Sequence, residues 1–174
     1  MIRKIAITGP ESTGKSVLSS QLAEHYNTVW VPEFSREYLE GIGRLYVEQD
    51  ILEIARGQLK NEKAALEKAN VFLFCDTELI VTKIWSEVKY QRCDPWILDN
   101  IRNHGYDLYL LCDIDLPWEY DPLREHPGQR PFLFDCYTRE LENTGRLYYV
   151  VSGYGADRLN HAISIIDQLF YANS

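Results

Sequence analysis

The sequence predicts an α/β fold in which helices cover both faces of a parallel sheet. Five short apolar segments with the length and composition of buried strands are spread along the chain, and segments with helical periodicity lie between them. Strands of nearly continuous apolar character that alternate with helices are typical of a parallel sheet. Right-handed crossovers turn such a chain into a three-layer, doubly wound α/β/α sandwich.

The elements follow one another without a repeat or a linker. The predicted strands cover residues 5–8, 28–32, 71–75, 108–112 and 147–151. The predicted helices cover residues 16–25, 48–69, 77–88, 95–103, 132–142 and 156–171. The clearest helix is 48–69, in which apolar residues recur at spacings near three and four. Because the 174 residues carry one series of elements, we expect a single domain over residues 1–174.

Composition excludes several classes of protein. The net charge is −8, so a general nucleic-acid binder or a protein of anionic membrane surfaces is not expected. There is no apolar run of membrane-spanning length, and the first apolar run is too short for a signal peptide. The four cysteines and four histidines show no metal-ligand spacing, which predicts free thiols and a cytoplasmic protein without zinc. Homo-oligomer formation is left open.

The strongest motif follows the first strand, where residues 9–16 read GPESTGKS. This is G-x-x-x-x-G-K-[ST] between a strand and a helix, the context of a phosphate-binding loop (P-loop). Backbone N–H groups and the start of the helix bind phosphate oxygens, Lys15 reaches the β- and γ-phosphates, and the Ser16 hydroxyl ligates Mg²⁺. The motif therefore predicts ATP and Mg²⁺ as cofactors. The cofactor-binding residues assigned here are Gly9, Glu11, Ser12, Thr13, Gly14, Lys15, Ser16 and Val17.

The third strand runs directly into Asp76, the pattern of a Walker B element. Its carboxylate is predicted to hold Mg²⁺ beside Ser16. The alternative is an aspartate that caps the following helix.

Two further segments at strand ends indicate a small-molecule kinase. Glu33, after the second strand, is predicted to orient or deprotonate an attacking hydroxyl, and Arg36 to bind a phosphate or a carboxylate. A surface Glu–Arg pair at a helix start is the alternative. Residues 116–131, called the lid segment below, contain four prolines with Arg124 and Arg130 and are predicted to close over ATP. A stiff surface loop with arginines paired to Glu119, Asp121 and Glu125 remains the alternative.

Two tryptophans are candidates for stacking on a flat, charged ring. Trp85 lies on the helix after Asp76, where a role in the core is the common alternative, and Trp118 opens the lid segment. The chain lacks N-K-x-D, which argues against a GTPase.

Several motifs together resemble the ribosylnicotinamide kinase domain of NadR-type proteins of NAD biosynthesis. They are GPESTGKS (9–16), PEFSREY (32–38), ARGQ (55–58), DTEL (76–79), TKIWS (82–86), DLPW (115–118) and DPLR (121–124). The resemblance implies a nucleoside-kinase-like P-loop NTPase fold with a five-stranded parallel sheet in the order 2-3-1-4-5. It also implies ATP-dependent phosphorylation of the 5′-hydroxyl of nicotinamide riboside, with Trp85 and Trp118 against the pyridinium ring and adenine near Arg158.

Some assignments stay open at this stage. The catalytic candidates are Lys15, Glu33, Asp76, Arg124 and Arg130, and the substrate-binding candidates are Glu33, Arg36, Trp85, Trp118 and Asp121. Either Glu33 or Asp76 orients the ribose hydroxyl. The rival functions are a kinase for another nucleoside or nucleotide, and a regulatory ATPase that senses pyridine nucleotides. NadR-type proteins carry further domains ahead of the kinase, and since strand one follows Met1 at once, we expect a stand-alone kinase domain.

Overall fold

The structure, a computed structural model, describes residues 2–172. Five strands and seven helices occupy this part of the chain. The strands are β1 (Arg3–Thr8), β2 (Val29–Val31), β3 (Phe72–Asp76), β4 (Leu108–Cys112) and β5 (Tyr148–Val151). The helices are α1 (Lys15–His25), α2 (Phe34–Gly41), α3 (Glu48–Leu66), α4 (Leu79–Tyr90), α5 (Pro95–Asn103), α6 (Arg130–Asn143) and α7 (Ala156–Phe170).

The strands form one parallel sheet in the order β2-β3-β1-β4-β5. This confirms both the predicted fold class and the implied strand order. Ile7 of β1 pairs with Asp76 of β3 on one side and with Leu110 of β4 on the other. Because parallel strands end at the same edge, this register brings Asp76 beside the loop that follows β1.

Helices cover both faces of the sheet, as the alternation of side chains along β1 requires. Ile5 and Ile7 pack in one cluster with Leu22 of α1 and Ile166 of α7. Ala6 belongs to the cluster on the opposite face. That cluster includes Ile51 of α3, Ile80 of α4, Ile97 of α5 and Leu141 of α6. In residues 2–172, no helix is long and apolar enough to cross a membrane.

Among the differences from the sequence prediction, three concern helices near the strand ends. Helix α2 was not among the predicted helices, because it is eight residues long and buries none of its residues fully. Helix α4 begins at Leu79 rather than at residue 77, since Thr77 has a left-handed φ of 66° and Glu78 is extended. Helix α6 begins at Arg130, with a proline in its first turn. The end of the lid segment is therefore helical.

Candidate active site

The phosphate-binding loop connects β1 to α1. Gly9 has a φ of 130°, and a Cβ atom there would lie 3.0 Å from the carbonyl oxygen of Cys112. Gly14 has a φ of 77° and precedes α1 without a side-chain cap. Glycine is needed at the first position for close approach to β4 and at both for the backbone conformation. The uncapped N–H groups at the start of α1 remain free for an anion.

Lys15 lies across this loop. Its Nζ atom donates to the carbonyl oxygens of Gly9 (3.0 Å) and Pro10 (2.8 Å), and the Thr13 hydroxyl donates to Pro10 at 2.7 Å. These bonds hold the amine over the concave side of the loop, where negative charge is best stabilised.

Ser16 and Asp76 are in direct contact. The Ser16 hydroxyl donates to Asp76 Oδ2 at 2.5 Å, and the buried Asp76 Oδ1 has no hydrogen-bond partner among residues 2–172. Burial and then the negative charge of Glu33 raise the pKa of Asp76 to about 6, with Lys15 and Ser16 acting in the opposite direction. A divalent cation would relieve both the unpaired oxygen and the cost of burying the carboxylate.

The residues present therefore fit a Mg²⁺ ion held by one hydroxyl and one carboxylate. In the part of the chain that the structure describes, no three acidic, histidine or cysteine side chains are grouped to hold a metal. The remaining ligands would come from substrate phosphates and water, which is how Mg²⁺ is commonly bound in phosphotransferases. The alternative role for Asp76, as a helix cap, belongs instead to Glu78, which accepts a hydrogen bond from the backbone N–H of Ile80 at 2.6 Å.

Glu33 is positioned by helix α3. It is the residue just before α2, and its Oε1 atom accepts from the Ser35 hydroxyl at 2.7 Å. The next residue, Phe34, donates its backbone N–H to Gln58 of α3 at 3.0 Å, and its ring lies directly over Gly57. Two adjacent residues of α3 therefore fix the start of α2 and the carboxylate beside it.

A cavity of about 700 Å³ joins the phosphate loop and Glu33 to an apolar chamber. At one end it is lined by the phosphate loop, with Glu33 at its side. The other end, called the aromatic chamber below, is lined by Tyr46, Ile84, Trp85, Val88, Leu133 and Tyr137. The Trp85 indole N–H donates to the Tyr46 hydroxyl at 2.9 Å, and the two rings pack edge to face with centroids 5.0 Å apart. A cavity with one phosphate-binding end and one aromatic end suits a ligand pair such as ATP and a small ring-bearing molecule.

The lid segment borders the same cavity. Arg36 of α2 donates to Asp121 Oδ2 at 2.8 Å, so it pairs with a carboxylate of the lid. Arg124 lines the cavity and donates to the backbone carbonyl of Glu119. Glu33, Arg36, Trp85 and Arg124, four of the candidates from the sequence, all line this one cavity.

Four other candidates have polar atoms bonded within the protein. Trp118 is not among the cavity-lining residues, and its indole N–H donates to Glu11 at 3.3 Å. Arg130, the first residue of α6, donates to the carbonyl oxygens of Ser12 (3.1 Å) and Leu116 (2.8 Å), also outside the cavity lining.

Glu11 and Arg158 border the cavity, but their polar atoms are engaged elsewhere. The carboxylate of Glu11 accepts from the backbone N–H groups of Glu125 (3.1 Å) and His126 (2.8 Å), so it faces the lid and not a phosphate. All three nitrogens of buried Arg158 donate to acceptors at the ends of β4 and β5, among them Asp115. Arg158 therefore shapes the loop before α7, with four of its N–H groups bonded within the protein.

The sequence prediction missed Tyr46 and the residues of α6 in the chamber. Tyr46 lies in the loop before α3, where neither periodicity nor a motif marks it. Its sequence neighbours, Leu45 and Val47, are apolar, so Tyr46 does not stand out in the sequence as Trp118 does in its polar loop.

The sequence of the chain is similar to that of known proteins. The family described as AAA domain (AAA_28) matches residues 4–158. The "Trifunctional NAD biosynthesis/regulator protein NadR" of Escherichia coli (strain K12) is 32% identical over 129 residues, which are 71% of this chain and 31% of that protein. The chain thus spans about a third of the length of this curated relative.

Solved structures share the fold. NadR in complex with NR has a TM-score of 0.84 at 23% identity, and NadR in complex with NAD and AMP-PNP has 0.80 at 22%; each alignment covers 96% of this chain and 51% or 49% of NadR. Thymidylate kinase from Ehrlichia chaffeensis has a TM-score of 0.64 at 17% identity, with 96% of this chain and 98% of the kinase covered. The fold is thus that of P-loop nucleoside and nucleotide kinases.

Proposed function

The chain belongs to the AAA-domain family AAA_28, and from this premise we propose that it is an ATP-dependent kinase that phosphorylates the 5′-hydroxyl of nicotinamide riboside to give nicotinamide mononucleotide. The relationship to NadR and the fold shared with nucleotide kinases support a kinase-like phosphotransferase. The observation that carries the proposal is the cavity in which a phosphate loop, the Glu33 carboxylate and an aromatic chamber meet. We take the catalytic unit to be one domain closed by the lid segment.

The phosphate-binding end suits ATP. The N–H groups of the loop and the start of α1 bind phosphate oxygens, and Lys15 neutralises their charge. The NadR structure with AMP-PNP supports an ATP-type ligand for this fold. Ser16 and Asp76 would hold Mg²⁺, which supplies positive charge to the phosphate oxygens when bound.

Phosphoryl transfer then needs a group that handles the acceptor hydroxyl. Asp76 is committed to Ser16, whereas Glu33 has one oxygen bonded to Ser35 and stands beside the cavity. We therefore propose that Glu33 is the general base that accepts the proton of the acceptor hydroxyl. The bond between the γ-phosphorus and the ADP oxygen breaks, a bond to the ribose 5′-oxygen forms, and the hydroxyl proton passes to the Glu33 carboxylate.

The aromatic chamber suits a flat cation. Trp85 and Tyr46 offer π-faces, and cations are attracted to such faces. The NadR complex with NR supports a nicotinamide riboside site in this fold. We place the pyridinium ring against Trp85 and not against Trp118, which lies outside the cavity lining. The four cysteines are free thiols, which supports the proposed cytoplasmic setting.

The test is product formation by the purified protein. With MgATP, nicotinamide riboside is expected to stimulate ADP release and to gain one phosphoryl group by mass spectrometry. Adenosine, cytidine, uridine and thymidine serve as competing acceptors, and the Lys15→Ala variant gives the background rate. A faster reaction with another nucleoside would change the substrate, and binding of a pyridine nucleotide without phosphoryl transfer by any acceptor would favour a regulatory ATPase.

A further inference from the structure

The phosphate loop contains an acidic residue, Glu11, although the loop binds anions. Glu11 sits inside the anion-binding loop, where a negative charge would repel phosphate. Its two oxygens are however directed to three donors of the lid segment: the N–H groups of Glu125 and His126 and the indole of Trp118. The donors are two consecutive backbone N–H groups and one indole, and His126 Nδ1 lies 3.9 Å from Glu11 Oε2, so the contact depends on the position of the lid.

Glu125, whose backbone N–H donates to Glu11, also contacts the aromatic chamber through its side chain. The carboxylate of Glu125 accepts from the Tyr46 hydroxyl at 2.6 Å and from Lys89 Nζ at 3.0 Å. The hydrogen bonds from Tyr46 and Lys89 lower the pKa of Glu125 despite its burial, and Lys89 lies 3.8 Å from the centroid of the Tyr46 ring. Glu125 is therefore a charged, multiply bonded partner of the aromatic chamber.

Tyr46 connects Glu125 to Trp85 of the aromatic chamber. Its hydroxyl accepts from the Trp85 indole N–H while donating to Glu125. A continuous series of hydrogen bonds thus runs from Glu11 of the phosphate loop through residue 125 to Tyr46 and Trp85. Within residues 2–172, the Glu119 side chain, from the same lid, makes no hydrogen bond or ion pair, so this connection is particular to Glu125.

We propose that Glu125 is a positioning residue that couples the phosphate loop to the aromatic chamber, so that occupation of the nucleotide end orders the ring-binding end. The proposal rests on the proposed function in that it takes the two ends to bind two substrates. Coupling of this kind is reciprocal, and a typical value between two sites is about 5–150-fold in affinity. Glu125 acts through its backbone on one side and its carboxylate on the other, and contacts neither reacting group.

Indole N–H signals give a direct readout, because Trp118 touches Glu11 and Trp85 touches Tyr46. In ¹H–¹⁵N spectra of the full chain, Trp85→Phe and Trp118→Phe assign the two signals. Adding AMP-PNP with Mg²⁺ is expected to shift both in the unsubstituted protein. In Glu125→Gln the Trp118 signal should still shift and the Trp85 signal should stay, whereas Glu119→Gln, which removes the same charge from the same lid, should respond like the unsubstituted protein.

Each outcome decides something. A Trp85 shift of full size in Glu125→Gln would overturn the coupling, as would a Trp118 shift without a Trp85 shift in the unsubstituted protein; neither result touches the proposed function. If neither signal moves although calorimetry shows that AMP-PNP binds, the coupling alone is refuted; if AMP-PNP does not bind, both proposals fall. Tyr46→Phe, which keeps the ring and removes the hydroxyl, is expected to uncouple the ends in the same way as Glu125→Gln. Ligand-free backbone amide signals that stay unshifted outside the lid segment and the aromatic chamber verify that the variants are folded.

Calorimetry adds the size of the effect. We expect nicotinamide riboside to tighten AMP-PNP binding at least about 5-fold in the unsubstituted protein and less than 2-fold in Glu125→Gln. Equal tightening in the two proteins would overturn the role of Glu125. Failure of nicotinamide riboside to bind would count against the proposed substrate, while the indole signals would still decide the coupling.

Discussion

The contact between Gly57 and Phe34 gives the sharpest test of how the site is built. An ideal Cβ atom on Gly57 would lie 2.0 Å from Cε1, 2.3 Å from Cδ1 and 2.7 Å from Cζ of the Phe34 ring. Ordinary contacts to a Cβ are 3.4–4 Å, so Gly57→Ala must push the ring away by at least 1.4 Å, the difference between 3.4 and 2.0 Å. Because Phe34 opens α2, the displacement is transmitted to Glu33 next to it.

Two opposing effects set the change in the free energy of unfolding of Gly57→Ala. Replacing glycine by alanine inside a helix stabilises it by about 1 kcal/mol. Overpacking of this kind costs about 1–3 kcal/mol. We expect a net loss of about 1 kcal/mol, which lowers Tm by roughly 2–4 °C in a chain of this size. A shift of about 1 Å in a catalytic group can cost on the order of 100-fold in rate, so kcat should fall far more than stability.

The assay pairs thermal unfolding with steady-state kinetics on Gly57→Ala. Gly41→Ala is the matched control, since Gly41 ends α2 and a Cβ there would meet nothing within 4 Å. Adding Phe34→Ala should relieve the clash and give a coupling energy of about 1–3 kcal/mol in a double-mutant cycle. A Gly57→Ala variant that gains the full helix stabilisation and keeps its kcat would refute the argument.

The remaining predictions concern one buried carboxyl and the two tryptophans. Burial raises the pKa of Glu78 to about 8, with hydrogen bonds from Ile80 and Thr8 opposing the shift. An acid with a raised folded-state pKa contributes stability that is present below its unfolded pKa near 4.5 and lost as pH rises through about 8. Glu78→Gln should therefore gain about 3–5 kcal/mol relative to the unsubstituted protein between pH 5 and pH 8.5, as read from urea unfolding; parallel pH profiles would contradict this. Trp85→Leu should raise KM for nicotinamide riboside about 5–30-fold through the lost cation–π contact, measured against the KM for ATP. Trp118→Phe should change the KM for nicotinamide riboside less than 3-fold, and the reverse order of effects would place the ring at Trp118.

Local signals explain why the sheet and the phosphate loop could be predicted. The apolar run before Asp76 forms β3, and Gly9 and Gly14 adopt positive φ angles in the loop after β1. Both features depend on residues close in sequence, so their spacing in the sequence is enough to predict them. The contact of Ser16 with Asp76 follows once the strands are parallel.

The rest depends on packing between distant segments. Arg130 was expected to meet phosphate because a guanidinium suits an anion, and Glu11 was assigned to the nucleotide site as a member of the loop motif. Contacts more than 100 residues apart in sequence instead direct the Arg130 side chain to the carbonyl of Ser12 and the Glu11 side chain to the lid segment. Tyr46 and Trp118 are both aromatic residues in loops, and only the fold decides which of them lines the cavity. The capping role of Glu78 likewise depends on the left-handed turn at Thr77.

The register between β1 and β3 also governs where this chain can change length. Ile7 lies opposite Asp76, and a one-residue insertion within β3 would turn the carboxylate to the other face of the sheet and away from Ser16. Insertions in the loop before α3 or in the lid segment would leave that pairing intact, at a small entropic cost. Descendants of this sequence are therefore free to vary in length around the acceptor while the spacing that holds the phosphate donor stays constant.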